Sequence, residues 1–140
     1  MEKAKILIVE DQGIVALDLQ TRVKGLGHTV LDVVPSGEEA IQKVGNRQPD
    51  LVIMDIHLRG SLTGIDAARE IWSRFNIPVV YLTAVGDQKI LEGALEVSRT
   101  FGYAGKPFHD AELQSAIEST LRRHQAEKTR DQDAAQSTKR

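Results

Sequence analysis

The chain has 140 residues, 41% of them hydrophobic and 27% charged, with a formal net charge of −2 and no cysteine. That length suits one domain with one core, and the near-neutral charge offers no global basic face for nucleic acid. The lack of cysteine excludes a disulfide framework, a thiolate metal site and a cysteine nucleophile, and apolar runs of about six residues at most fall far short of a membrane span.

Short apolar runs alternate with segments of helical period, the pattern of repeated strand–helix units and a parallel sheet. Met1 to Lys5 lead directly into the first strand, Ile6-Leu7-Ile8-Val9, with no signal-peptide core, so a cytoplasmic location is the default expectation. Glu10-Asp11 follow, and then a helix with Val15, Leu19, Val23 and Leu26 on one face, punctuated by Gly25 and Gly27. A second strand, Thr29 to Val34, runs into Pro35-Ser36-Gly37-Glu38-Glu39, where Ser36 and Glu39 have capping-box spacing; the helix they start buries Ala40, Ile41 and Val44. Pro49 stops that region.

The third strand, Leu51-Val52-Ile53-Met54, ends abruptly in the carboxylate of Asp55. A helix beginning near Gly64 carries Ile65, Ala68, Trp72 and Phe75 as its inward stripe. Pro78 takes the first position of the fourth strand, which ends at Thr83. A shorter helix over Gln88 to Val97 carries Ile90, Leu91, Ala94 and Leu95. The last strand, Gly102-Tyr103-Ala104-Gly105, meets Lys106-Pro107, and the last helix starts near Asp110 with Leu113, Ala116, Ile117, Thr120 and Leu121 on one side. His28, His109 and His124 have no ligand spacing and read as surface or loop residues, and Trp72 reads as core.

Five such units predict an α/β fold: a doubly wound five-stranded parallel sheet, flavodoxin-like, in the order 2-1-3-4-5 with five helices. Ligands in such sheets sit at the carboxyl ends beside the topological switch, here between strands one and three. The predicted domain covers residues 1–124. Residues 125–140 are too polar to pack and form either an outward continuation of the last helix or a frayed tail.

The strand ends bring Glu10, Asp11, Asp55, Thr83 and Lys106 to one edge. Clustered carboxylates repel each other, and a divalent cation relieves that repulsion; magnesium prefers a few carboxylates, waters and a phosphate oxygen. Asp11 and Asp55 are the direct ligands in this reading, Glu10 acts through water, and Asp55 is the phosphoryl acceptor. Each residue also has a plainer reading. Glu10-Asp11 suit a helix cap, Thr83 a strand end and Lys106 a solvated charge. The Lys106-Pro107 pair is more specific, because proline aims the preceding residue outward and accommodates a cis bond.

Four motifs in order, Ile8-Val9-Glu10-Asp11, Asp50-Leu51-Val52-Ile53-Met54-Asp55, Pro78-Val79-Val80-Tyr81-Leu82-Thr83-Ala84 and Gly102-Tyr103-Ala104-Gly105-Lys106-Pro107-Phe108, carry a family resemblance. Over residues 4–124 the chain resembles the receiver domain of bacterial and archaeal two-component response regulators. The resemblance implies a phosphorylation-dependent signalling switch and not a turnover enzyme: Asp55 accepts a phosphoryl group from a histidine kinase or phosphotransfer protein, with Mg2+. It assigns the metal to Asp11, Asp55 and the backbone carbonyl of His57 with support from Glu10, and the phosphoryl oxygens to Thr83 and Lys106. Thr83 and Tyr103 are the implied switch residues. The fourth helix, fifth strand and fifth helix are the implied output face and dimer surface, and a covalently linked sensor or output domain outside this chain is compatible with the family.

One stretch departs from the commonest pattern. Leu58-Arg59-Gly60-Ser61-Leu62-Thr63-Gly64 is one residue longer, lacks the usual proline and has Thr63 where aspartate is usual. His57 and Val85, two residues past Asp55 and Thr83, are expected to face the water that attacks in dephosphorylation. His57 reads as a metal ligand, a general base or a loop residue, the last preferred; Val85 reads as a shield of the acyl phosphate. Two other functions compete. An aspartate-nucleophile phosphohydrolase of the haloacid-dehalogenase type would place Asp-x-Asp after the first strand, whereas Asp55-Ile56-His57 follows the third. A non-phosphorylated interaction module is opposed by the intact set Asp11, Asp55, Thr83 and Lys106.

Overall fold

The alternation of side chains along a strand divides the apolar runs between two faces of one sheet. The computed structural model describes residues 3–138, with side-chain surroundings described through residue 132. Strands β1 (Lys5–Val9), β2 (Thr29–Val34), β3 (Leu51–Asp55), β4 (Val79–Thr83) and β5 (Gly102–Gly105) are parallel and ordered β2-β1-β3-β4-β5, as the sequence predicts. Helices α1 (Gly13–Gly25), α2 (Gly37–Arg47), α3 (Gly64–Phe75), α4 (Gln88–Leu95) and α5 (Asp110–Thr138) connect and follow them.

Leu7, Val9, Val52, Met54, Val79 and Tyr81 face α2, α3 and α4, packing with Ala40, Val44, Ala67, Ile71 and Ala94. Ile6, Ile8, Leu51, Ile53, Val80 and Leu82 face the other way, against Leu19 and Val23 of α1 and Leu113 and Ile117 of α5. Each large side chain buried this way contributes about 1.5–3 kcal/mol. Helices on both faces explain why β3 and β4 are buried along their whole length, and why the two edge strands are less so.

Several expectations need correction. The buried centre of α3 is Gly64, Ala67, Ala68 and Ile71, so Ile65, Trp72 and Phe75 flank the core and are only partly buried. Small residues lie in the middle because α2 approaches closely: a Cβ on Gly37 would lie 2.9 Å from that of Ala67. Pro78 precedes β4, and its carbonyl accepts the Val52 amide at 3.0 Å. Helix α4 ends at Leu95, two residues before the expected Val97, and Ile90 lies on its exposed side at 41% exposure. Among the buried faces of α1, Ala16 joins Leu19 and Val23, with Val15 and Leu26 partly buried beside them.

His28 and His124 are buried, against the surface reading; His109 is exposed as expected. The Ala4 amide donates to His28 Nδ1 at 3.1 Å, which leaves Nε2 to face Gln114 Oε1 at 3.3 Å. His124 Nε2 donates to the Asn76 carbonyl at 2.8 Å, and its ring packs edge-on against Trp72 with centroids 5.7 Å apart. Asn76 ends α3 in the left-handed conformation, which turns its carbonyl toward α5. The polar segment after residue 124 continues α5 as helix to Thr138; its last two residues, Lys139 and Arg140, lie outside the described residues, as do Met1 and Glu2. Among the described residues no helix is long and apolar enough to cross a membrane.

Candidate functional site

The switch between β1 and β3 places the ends of these strands side by side, and β4 adds its own end next to β3. Glu10, Asp11 and Asp55, at the ends of β1 and β3, each bring one carboxylate oxygen to within 4.8 Å of the other two. Glu10 and Asp55 are each 3% exposed. The Lys106 ammonium approaches from the β5–α5 loop, 3.4 Å from Asp55 Oδ2 and 3.6 Å from Glu10 Oε1. Its own amide donates to the Thr83 carbonyl at 2.7 Å, tying this loop to the end of β4. The Lys106–Pro107 peptide is cis. Thr83 is buried at the same edge, so the structure brings the five expected residues together.

Three carboxylates face one ammonium from the buried side and, from the exposed rim, the Arg59 guanidinium 3.7 Å from Asp11 Oδ2, and neither Glu10 oxygen has a hydrogen-bond partner. Burial, reinforced by the neighbouring Asp55, pushes the Glu10 carboxyl up to about 8, with Lys106 opposing that rise. A hard dication with oxygen preference supplies the missing positive charge and the missing partner for Glu10. The residues present therefore fit a magnesium-type ion.

The longer loop after β3 is held at three points. Asp55 Oδ1 accepts the His57 amide at 2.9 Å, Asp11 Oδ2 accepts the Arg59 amide at 3.1 Å, and Glu38 Oε1 accepts both Ser61 Oγ at 2.8 Å and the Leu62 amide at 3.1 Å. Thr63 then caps α3 in a reciprocal capping box with Asp66, which explains a threonine at this position. Glu38 and Arg59 were not anticipated, because their contacts lie across 24 and 48 residues of sequence.

The His57 ring engages Asp87. Its Nε2 donates to Asp87 Oδ1 at 2.7 Å, and Asp87 Oδ2 accepts the Ala84 amide at 2.7 Å. These bonds, the Ala84 amide ahead of the His57 ring, hold the Asp87 carboxyl below the usual carboxylate range. Asp87 is a third residue that the sequence pattern does not single out: it stands directly before α4, yet its side chain makes no cap bond. Val85, two residues past Thr83, and Tyr103, opposite Tyr81 in β5, are 96% and 50% exposed.

Comparison with known proteins agrees with this geometry. A family model described as the response regulator receiver domain matches residues 6–118. The chain is 32% identical over 128 residues to the phyllosphere-induced regulator PhyR of Methylorubrum extorquens, which covers 91% of this chain and 47% of that protein. It is 34% identical over 119 residues to the transcriptional regulatory protein PdtaR of Mycobacterium tuberculosis, covering 85% of this chain and 57% of that protein. The signal receiver domain of a modulated diguanylate cyclase from Desulfovibrio desulfuricans superposes with a TM-score of 0.82 at 30% identity, over 90% of this chain and 99% of that one. The chain thus spans about half the length of these curated relatives and nearly all of an isolated receiver structure. Sheet order, acidic edge and sequence matches converge on one conclusion: the chain belongs to the response regulator receiver domain family.

Proposed function

We propose that Asp55 is the phosphoacceptor of a signalling switch, taking its phosphoryl group from the phosphohistidine of a histidine kinase or phosphotransfer protein. The observation that carries this reading is the acidic cluster within 4.8 Å whose Glu10 oxygens have no hydrogen-bond partner, faced by Lys106 at 3.4 Å from Asp55. An Asp55 carboxylate oxygen attacks phosphorus, the phosphorus–nitrogen bond of the donor breaks, and the imidazole leaves with the bonding pair. The Lys106 ammonium then balances charge on the phosphoryl oxygens, and the Thr83 hydroxyl donates to one of them. The His57 amide holds Asp55 Oδ1, which orients the carboxylate. Asp11, Asp55 and the His57 carbonyl would hold magnesium with Glu10 in support, and the ion supplies the charge neutralisation that dominates phosphoryl transfer.

The output follows from coupling the Thr83 end of β4 to α4 and β5. Tyr103 and Ile90 are exposed on the α4–β5–α5 face, the surface we assign to a second copy or to a linked sensor or output domain. A shift of a few kcal/mol between two conformers suffices to switch such a surface.

Incubation with acetyl phosphate and magnesium is expected to add one phosphoryl group by intact mass, and Asp55→Ala to abolish the gain. Persistence of the gain in Asp55→Ala removes the assignment. We further expect Val85→Asn, which places an amide at the solvent-facing rim, to shorten the phosphoaspartate half-life several-fold. An unchanged half-life means that Val85 does not shield the acyl phosphate.

A further inference from the structure

Asp87 and His57 form a continuous hydrogen-bonded connection between the Asp55 loop and the Thr83 loop. From one end to the other it runs through Asp55 Oδ1 and the His57 amide, the His57 ring and Asp87 Oδ1, and Asp87 Oδ2 and the Ala84 amide that follows Thr83. Asp87 is 7% exposed, and both its carboxylate oxygens are engaged at 2.7 Å. Bonds to an ionised carboxylate are shorter and stronger than neutral ones, so this junction holds the loop firmly.

A purely local role does not account for it. The turn from Ala84 to Asp87 is already closed by the Asp87 amide donating to the Ala84 carbonyl at 3.2 Å, with Gly86 at φ +98° supplying the bend. The Asp87 side chain does not cap α4 either. Its two bonds instead prevent Thr83 and Ala84 from advancing toward Asp55 unless the Ala84–Asp87 bond breaks or Asp87 and His57 move with them.

We infer that Asp87 is a positioning residue that latches the Thr83–Ala84 segment in its resting place, with the His57 ring as the strap to the phosphoacceptor loop. The inference rests on the phosphoacceptor reading of Asp55. The latch sets how readily the loop reaches the phosphoryl-binding arrangement, because a competent conformer that is rarely populated lowers the apparent reactivity in proportion.

The test uses the full chain as wild type, Asp87→Ala and Asp87→Asn, with two measurements. Hydrogen exchange at the Ala84 amide is read in the unphosphorylated, metal-free protein, and the rate of mass gain is read with acetyl phosphate and magnesium. Asp87→Ala is expected to lose Ala84 protection and to gain the phosphoryl group roughly three- to tenfold faster, the factor carried by one or two net hydrogen bonds. Asp87→Asn keeps an oxygen for the Ala84 amide and is expected to hold both protection and a rate within about twofold of wild type. An unchanged or slower rate in Asp87→Ala, or an Asp87→Asn variant that behaves like the alanine, overturns the latch while wild type still takes up phosphate. Failure of wild type itself to gain mass overturns the phosphoacceptor reading, and the latch with it.

Discussion

Replacing Gly64 with alanine is expected to destabilise the fold by about 2–4 kcal/mol, at the upper end for overpacking, and to slow phosphoryl uptake by roughly tenfold or more. Gly64 opens α3 directly beneath the strand end that carries Asp55. A Cβ there would overlap the Asp55 carbonyl oxygen, and would sit 3.1 Å from Ile56 Cα and 3.2 Å from the Asp55 carbonyl carbon. All three atoms are backbone, so no rotamer change relieves the contact. The helix cannot slide away cheaply, because Thr63 and Asp66 fix its first turn and Glu38 fixes the loop before it. Either α3 lifts from the core or Asp55 shifts, and a displacement of about 1 Å at a reacting group is costly in rate. Urea denaturation and the rate of mass gain measure the two effects separately. Gly93→Ala in α4 provides the opposite control: nothing lies within 4 Å of its Cβ, so a gain of about 0.5–1 kcal/mol is expected. Equal effects at the two glycines would show that helix propensity, and not the crowding beneath Asp55, sets the outcome.

The same stretch marks the boundary of what the sequence reveals. Apolar runs ending in acids identify β1 and β3, their order and the acidic edge, because period-two alternation and strand termini are local properties of the chain. The conformation of Leu58–Gly64 is not local. It depends on Glu38 in α2, on Asp11 after β1 and on the room beneath Asp55, each brought near only by the folded sheet. His124 lies on the face of α5 that carries Ile117 and Thr120, at helical spacing from both, so its burial had a signal in the sequence. His28 had none, since its partner is an amide 24 residues away. Asp87 occupies the N-cap position of α4, but its side chain bridges two loops, through a partner 30 residues away that no local pattern indicates.

The metal-free protein is expected to lose stability as pH rises from about 4.5 to about 8, and Glu10→Gln is expected to remove most of that loss. Glu10 titrates at about 8 in the folded chain against 4.5 as its ordinary value, because burial and the neighbouring Asp55 disfavour its charge more than Lys106 favours it. Between those two values the folded state holds a proton that the unfolded state has released. Fewer protons on the unfolded chain mean that stability falls with pH, by an amount on the order of a few kcal/mol across the window. Glutamine mimics the protonated side chain and has no charge to desolvate, so its profile over the same window is flatter. A divalent cation reverses the sign for wild type, since its binding requires the ionised carboxylate and releases the proton. Magnesium is therefore expected to stabilise wild type more at pH 8 than at pH 5, and to stabilise Glu10→Gln less at either pH. Denaturant titrations at pH 5, 6.5 and 8, with magnesium or with a chelator, separate the cases. Buried His124, held below its ordinary value by desolvation, adds a rise in stability in the lower part of this window to both proteins, so the comparison between them is decisive. A metal-free wild type whose profile matches that of Glu10→Gln would mean that Glu10 is ionised without a metal, with Lys106 as its effective counter-ion.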